Sequence, residues 1–467
     1  MSRKVILLAT VLTAGAMLAT GVQAQKNPAK NPPSHPPVTQ TQGQTPPPPP
    51  PPVSTPAVPQ PQAEPPVPTP PQPPTPPPAP TEQGANGDEL VEQAYDLFNG
   101  TNGEIQDKDA AIQLFREAAD LGNADAMNRL GLIFDSGDGV AVDDEEAVAW
   151  YRKAADAGLP VGMSNLGQMY HFGEGVEQDE EEAVYWFRKA SDLGFPDAMV
   201  FLGDAYSAGT AVGQDLRVAL DWYQRAAEAG NALGMVRTGV AYYYGDGTAA
   251  DVNKAIEWYR KGADAGNGQG MRYLADAYYS GTGLAKDFEE ALSWYRRAVD
   301  AGDLISMAWI GDMYAKGEGV AKDPEEAIAW FRRGAEAGEG NAMYMLGNMY
   351  YNGQGVAKDF EEAVAWYKKG VEVGNARAHW ELALSYLLGE GIGKDTYKAA
   401  EYAYTAVKMG NQTALDGLLE IEKYNVSANF KQRLQQLLAA DGYYKGAIDG
   451  TFGTGTKNAV KAAFGKG

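Results

Sequence analysis

The chain has 467 residues, 44% of them apolar, no cysteine and a formal charge of −22. The lack of cysteine excludes disulfides, cysteine-held metal sites and a lipoprotein anchor, and the acidic balance argues against binding to nucleic acid or to an anionic lipid surface. That balance is uneven: from residue 428 onward six Lys or Arg face two Asp, so what precedes is more acidic than the total.

At the amino end, Arg3 and Lys4 precede an apolar run from Val5 to about Leu18, and Val22-Gln23-Ala24 forms a small-residue cleavage box before Gln25. This predicts a signal peptide over 1–24 and an exported, periplasmic, cell-wall-associated chain with no membrane span after cleavage; an uncleaved anchor is the competing reading. Residues 25–85 hold 26 of the 29 prolines, including the unbroken run Pro46 to Pro52. Such a segment cannot bury a core, so a disordered, extended polyproline-type spacer is expected over a ligand for a proline-recognising domain.

Residues 86–425 carry a period of 36 residues. An aromatic column runs Leu114, Trp150, Trp186, Trp222, Trp258, Trp294, Trp330, Trp366, Tyr402; an aspartate column runs from Asp107 through Asp143 to Asp395, and a glycine column from Gly122 through Gly158 to Gly410. A fixed step with no insertion means stacked supersecondary units. Each unit reads as two helices. In the second, Met127, Leu130, Gly131 and Phe134 share one face of the first helix, and Ala147, Trp150, Tyr151 and Ala154 share one face of the second, with Ser136-Gly137-Asp138-Gly139 turning between them.

The aspartate column marks the N-cap of the second helix, Glu146, Glu182, Glu290, Glu326 and Glu362 are placed to complete capping boxes, and Pro324 stands at the first helical position. The glycine column marks its end. An unbroken alanine column from Ala111 to Ala399 predicts close backbone approach, with the Trp or Tyr rings filling the wider gap beside it. The Met column from Met127 to Met343 reads as core filler and not as a soft-metal face.

The motif Leu166-Gly167-Gln168-Met169-Tyr170, then Gly173-Glu174-Gly175, then Asp179 through Ala183, Trp186, Phe187 and Gly194 resembles the Sel-one-like repeat (SLR) family of tetratricopeptide-like solenoids. The resemblance covers roughly 88–420, with local departures: Ala275 and Ala383 for the first-helix glycine, and Ala211 for a turn glycine. It implies an all-α, right-handed-type solenoid of nine two-helix repeats that serves as a scaffold for other proteins. Some secreted members are stapled by a cysteine pair in each unit and linked to penicillin binding or β-lactam hydrolysis; those cysteines are missing here.

The last stretch, 426–467, contains Leu434-Gln435-Gln436-Leu437-Leu438, Gly442-Tyr443-Tyr444, Asp449-Gly450-Thr451-Phe452-Gly453 and Thr456, followed by Ala459, Val460 and Phe464. It resembles the small three-helix peptidoglycan-binding domain of cell-wall proteins, and Asp441 stands where that family is usually apolar. Asp449-Gly450 reads as a tight turn, Phe452 as the core plug and Thr456 as a helix cap, so most of the hallmark serves the fold. As a peptidoglycan-contacting set, Tyr443, Tyr444, Asp449, Phe452 and Thr456 are the candidates. The basic end is expected to be a separate module.

A protein-binding surface is placed on the first helices. Positions equivalent to 129, 132 and 136 turn away from the core stripe by the 100° step, so Phe172, Phe201, Tyr244, Tyr273 and Trp309 are expected to form an apolar strip on a concave face, set among Asp204, Arg237, Asp276 and Asp312. Catalysis finds little support. The three histidines, His35, His171 and His379, have no nucleophile and base at useful spacing, and the G-x-G turns lie between helices with no strand before them, unlike a dinucleotide fingerprint. Asp135 to Glu146 lacks the ligand spacing of a calcium loop. The reading is therefore a non-catalytic envelope scaffold with no cofactor or metal, binding envelope or signalling proteins through the repeats and peptidoglycan through its end. A secreted effector or a wall-active enzyme of hydrolase or β-lactamase-like type is the alternative.

Overall fold

Residues 82–423 and 426–466 are described in a computed structural model. The expected signal segment, nearly all of the proline-rich spacer and His35 lie outside the described residues. Every element among those described is a helix. The first, Glu82–Asn99, starts slightly earlier than the expected repeat boundary and pairs with Lys108–Asp120. Ala124–Ser136 and Asp144–Asp156 follow, and the pattern repeats at the same step to Ala376–Leu388 with Thr396–Lys408, giving nine repeats, each with a leading and a second helix. A tenth leading helix, Gln412–Leu419, and a 3-10 turn, Ile421–Lys423, lead to the C-terminal helices Ala428–Ala440 and Thr454–Ala463.

The start and stop signals work as their chemistry requires. The Asp143 carboxylate accepts from the Glu146 N–H at 3.0 Å, and Asp323, followed by Pro324 at the first position, accepts from Glu325 and Glu326. At the other end Gly266 adopts φ +87 with nothing within 4 Å of where a Cβ would stand, so the left-handed backbone alone selects glycine there. The expected capping boxes do not form, because each N-cap N–H is already taken: Asp143 N–H donates to Phe134 O, and Asp179 N–H to Tyr170 O, both at 2.9 Å. The glutamates turn to the indole one helical turn on. Trp150, Trp186, Trp294 and Trp366 donate their Nε1–H to Glu146, Glu182, Glu290 and Glu362 at 2.8 to 3.0 Å.

The tryptophan column divides: Trp150, Trp186 and Trp366 are buried as expected, the others less so. Trp222, Trp258, Trp294 and Trp330 are half-buried, and a cation covers the ring face, as with Lys261 3.8 Å from the Trp258 ring centroid and Arg297 4.7 Å from that of Trp294. The deep core belongs to the next residue: Tyr151, Phe187, Tyr223, Tyr259, Tyr295, Phe331 and Tyr367 are all buried, Tyr295 completely. Except for Tyr295, whose leading helix carries Ala275 at that position, these rings lie on the leading helix where its glycine leaves room; a Cβ on Gly311 would stand 2.5 Å from the Phe331 ring. The alanine column is buried throughout, and the Ala183 carbonyl comes within 3.2 Å of where a Gly167 Cβ would be, which is the close approach expected. Met163, Met199, Met307 and Met343 are buried core filler.

The described residues fall into two compact units divided between Leu130 and Gly131. In the first, Phe115 is fully buried, with Tyr95 edge-on at 5.2 Å and Phe98 tilted against it at 6.4 Å. The Arg129 guanidinium lies 4.7 Å from the Phe98 ring centroid. The second unit holds the remaining repeats and the C-terminal end, and here the expectation of a separate basic module is corrected. Phe430, Leu434, Leu438, Phe452 and Val460 form one hydrophobic cluster with Ala399, Ala403, Ala406, Val407 and Leu418 of the last repeat and the tenth leading helix. Asp441 explains its own departure from an apolar consensus, because it accepts from the Tyr404 hydroxyl and from Lys408 Nζ, both at 2.8 Å. Arg433 clasps Glu401 at 2.6 Å, and Gly465 N–H donates to Val407 O at 3.1 Å.

Candidate functional site

Leading helices of neighbouring repeats touch: four against five, five against six, seven against eight and eight against nine. The second helix of the preceding repeat decides what happens to three of the aromatic residues expected to face solvent. Phe201 stacks on Phe187 of the preceding repeat with 4.8 Å between centroids and 12° between planes. Tyr273 packs on Tyr259 at 4.8 Å and is buried, and the half-buried Trp309 lies parallel to Tyr295 at 6.0 Å. Tyr244 is half-buried and edge-on to Tyr243 at 5.0 Å. Of the five, Phe172 alone is exposed, at 42%. A continuous solvent-facing strip is therefore corrected: the 100° step places a residue relative to its own helix, and the preceding repeat supplies the cover.

The charged residues on the same helices are pairs and not a rim. Asp204 accepts from the Tyr223 hydroxyl at 2.7 Å and faces Arg237 Nε of the following repeat at 3.2 Å. Asp276 accepts from the Tyr295 hydroxyl at 2.6 Å and lies 3.6 Å from Arg272, whose Nε reaches Asp303 at 3.2 Å. Burial holds the Asp276 carboxyl above the ordinary range, opposed by Arg272 and by the tyrosine hydroxyl. Asp312 is paired with Lys316 at 2.5 Å.

One carboxylate departs from this scheme. Glu381, on the leading helix of repeat nine, is pushed up to about 7 by burial, and among the described residues no cation forms an ion pair with it and no donor bonds its carboxylate. Reading single helices missed it because Glu381 resembles any solvated helix glutamate until repeat eight is stacked against it.

At the C-terminal end the candidate set divides. Phe452 and Thr456, each 1% exposed, are interior, so their assignment as peptidoglycan contacts is corrected: both are fold residues. Asp449 is exposed, but one oxygen takes Thr451 N–H at 2.8 Å and the Thr451 hydroxyl at 2.7 Å; these bonds, with Gln435, hold its carboxyl below the usual range. Tyr443 and Tyr444 are half-buried, and Tyr444 donates to Ala447 O at 3.0 Å. Gln435, part of the Leu434–Leu438 hallmark but given no role of its own there, is the hub. Fully buried, it donates Nε2 to Thr451 O at 2.8 Å and accepts from Gly450 N–H at 2.9 Å, with Thr456 Oγ1 3.2 Å away. Its place in the Leu-Gln-Gln-Leu run was visible; its satisfaction by a loop 15 residues on was not.

The remaining histidines are held by local partners. His171 Nδ1 lies 2.7 Å from Glu180, and the buried His379 lies 2.9 Å from Asn375 O. Among the described residues no group of three or more His, Asp or Glu is placed to hold a metal ion, and no helix is long and apolar enough to cross a membrane.

The Sel1 repeat family model matches nine consecutive segments from 94–123 to 376–411, and a model of the peptidoglycan binding domain matches 430–463. Among solved structures, the protective antigen c5321 of uropathogenic Escherichia coli strains, which displays an SLR fold, is 31% identical over 82% of this chain and 89% of its own, with a TM-score of 0.49. A Sel1 repeat protein from Oxalobacter formigenes is 39% identical over 53% of this chain and 99% of its own, also at 0.49. No curated protein matches. With nine matched copies in register over more than half its length, the chain belongs to the Sel1 repeat family, a protein-interaction scaffold joined to a peptidoglycan-binding-like domain.

Proposed function

We propose that the protein works in the periplasm as a non-catalytic adaptor, held at the cell wall by its C-terminal end while its repeats present partner proteins there. The observation that carries this reading is the shared core between the last repeat and the peptidoglycan-binding-like helices. A binding end packed directly on the array would hold the repeats in a fixed relation to the wall, where a flexible tether would not. The outward parts of that end, Tyr443, Tyr444, the exposed Ile448 and Asp449, are the proposed contacts with glycan or stem peptide. The proposed protein-binding face is that of the leading helices, where Phe172 and the outer edges of Phe201, Tyr244 and Trp309 remain accessible and the buried Tyr273 sets the backing.

The test uses the full chain, because truncation at 426 would uncover the last repeat. The intact protein is sedimented with insoluble cell-wall sacculi beside Tyr443→Ala/Ile448→Ala, with melting curves compared. Pelleting of the wild type and reduced pelleting of an equally stable variant supports the reading; a wild type that stays in solution sinks it. Fractionation of cells separates the alternatives, since a secreted effector is recovered from the medium and the adaptor from the periplasmic and wall fractions.

A further inference from the structure

The junctions between leading helices repeat at the same register, which allows one to be compared with another. At the junction of repeats four and five, Asp204 accepts from Tyr223, and Arg237 on the following helix neutralises it. One hundred and forty-four residues later, at the junction of repeats eight and nine, Asn348 stands at the Asp204 position, still accepting from the core tyrosine, Tyr367, at 2.7 Å. Glu381 stands at the Arg237 position. The acid has been removed from one helix and the base on the next replaced by an acid, leaving a half-buried carboxylate with no counter-charge. At the same register the half-buried Asp204, Asp276 and Asp312 each have a cation, Arg237, Arg272 and Lys316.

The surroundings are aromatic. Tyr344 and Tyr351 of the repeat-eight leading helix are half-buried, and their hydroxyls, with that of Tyr367, lie within the electrostatic reach of Glu381. The other charged groups facing the junction are Glu390, which accepts from the Tyr351 hydroxyl at 2.6 Å, Lys358, whose Nζ lies 5.6 Å from the Tyr351 ring centroid, and Arg377, one turn before Glu381. The Arg377 guanidinium lies instead over the Tyr344 ring, 5.8 Å from its centroid. A carboxylate removed from water without a partner is costly, and a cation between it and π-faces gains from both.

The geometry points to this junction as the binding site for a guanidinium or ammonium group on a basic side chain of a partner polypeptide, with Glu381 as the anion and the Tyr344 and Tyr351 rings beside it. The acidity of the repeats favours a basic partner segment in the same sense. This deepens the adaptor reading and rests on its protein-binding face. Because burial raises the Glu381 carboxyl to about 7, its charge is lost as the pH falls below that value, and the attraction falls with it.

The probes are acetylated, amidated tripeptides Gly-Arg-Gly, Gly-Lys-Gly and Gly-Gln-Gly, titrated into the full-length protein and followed by NMR or calorimetry at pH 8 and pH 5.5. At pH 8 the arginine or lysine peptide binds at least tenfold more tightly than the glutamine peptide, and the preference shrinks severalfold at pH 5.5. Glu381→Gln abolishes the preference without loss of helicity, whereas Arg377→Gln keeps or increases it. Equal binding of charged and neutral peptides overturns the proposal, as does a preference that survives Glu381→Gln or disappears in Arg377→Gln, the last result marking Glu381 as Arg377's own partner. Free lysine binding as well as the lysine peptide would also overturn it, by showing a small-amine site and not a polypeptide one. The adaptor reading is tested separately: a chain that pellets with sacculi and captures proteins but ignores these peptides leaves that reading standing.

Discussion

A helix pair in the middle of the array and the pair at the C-terminal end are close in length, 13 and 13 residues against 13 and 10, yet they are held by different means. In repeat six the centre is Tyr295, with Ala291 and Ala298 beside it and further repeats on both sides. At the end the centre is an amide, Gln435, tying the 441–453 loop to its helix, while apolar cover comes from the last repeat on one side. A repeat flanked twice can fill its middle with rings and small residues. A short pair flanked once lacks that apolar supply, so a saturated polar hub and a shared core take its place.

The largest effect should come from Tyr295→Ala, which removes a fully buried ring and leaves the Asp276 carboxylate without its hydroxyl donor. A local loss of about 3 to 5 kcal/mol is expected, with amide protection reduced in repeats six and seven and retained at the C-terminal end. Uniform loss of protection along the chain would erase the distinction between array and end. Trp294→Ala, one residue away but half-buried, should cost about 1 to 2 kcal/mol, and an equal cost would place Trp294 in the core beside Tyr295.

Next comes Gln435→Leu, which leaves the buried Gly450 N–H without a partner and takes from the Thr451 carbonyl one of its two donors, the Thr456 hydroxyl being the other. A loss of about 2 to 3 kcal/mol confined to the end domain is expected, read as early exchange in 428–464. A melting curve unchanged within error by this substitution would make the hub dispensable, and the end would then resemble the middle.

Glu381→Gln works in the opposite direction. Burial raises this carboxyl from its ordinary 4.5 to about 7, so the folded chain binds that proton more tightly than the unfolded chain does. The ionised form therefore costs nothing below about pH 4.5, and the cost grows as pH rises through about 7. The variant should gain about 1 to 3 kcal/mol over the wild type at pH 8 and almost nothing at pH 4.5, measured by paired denaturant titrations. A gain independent of pH would place the effect elsewhere.

The smallest effect belongs to Ala211, which keeps φ +55 where the register otherwise has glycine. Ala211→Gly should relieve left-handed strain and stabilise repeat four by about 0.5 to 1 kcal/mol, seen as a small rise in the denaturant midpoint. A fall in the midpoint would show that the turn at this repeat is not under strain.

The 36-residue step, the aspartate starts, the glycine stops, the alanine column and the two family resemblances were all readable residue by residue, and each reappears in the helices and the family matches. These signals act within one helix or across one turn, where backbone geometry leaves few choices. Three outcomes needed the stacked chain. Trp330 and Phe331 lie on neighbouring arcs of one helix, and only the space left by Gly311 on the leading helix decided that the phenylalanine enters the core. Phe201, Tyr273 and Trp309 turn away from their own helix's core, yet the preceding repeat covers them. Asp441, Gln435 and Glu381 owe their environments to partners brought in from other elements, two of them stabilising and the third a charge left without an answer. Helical periodicity places a side chain relative to its own axis; burial, charge pairing and the availability of a surface depend on the neighbour laid against it, and that information exists only once the repeats are stacked.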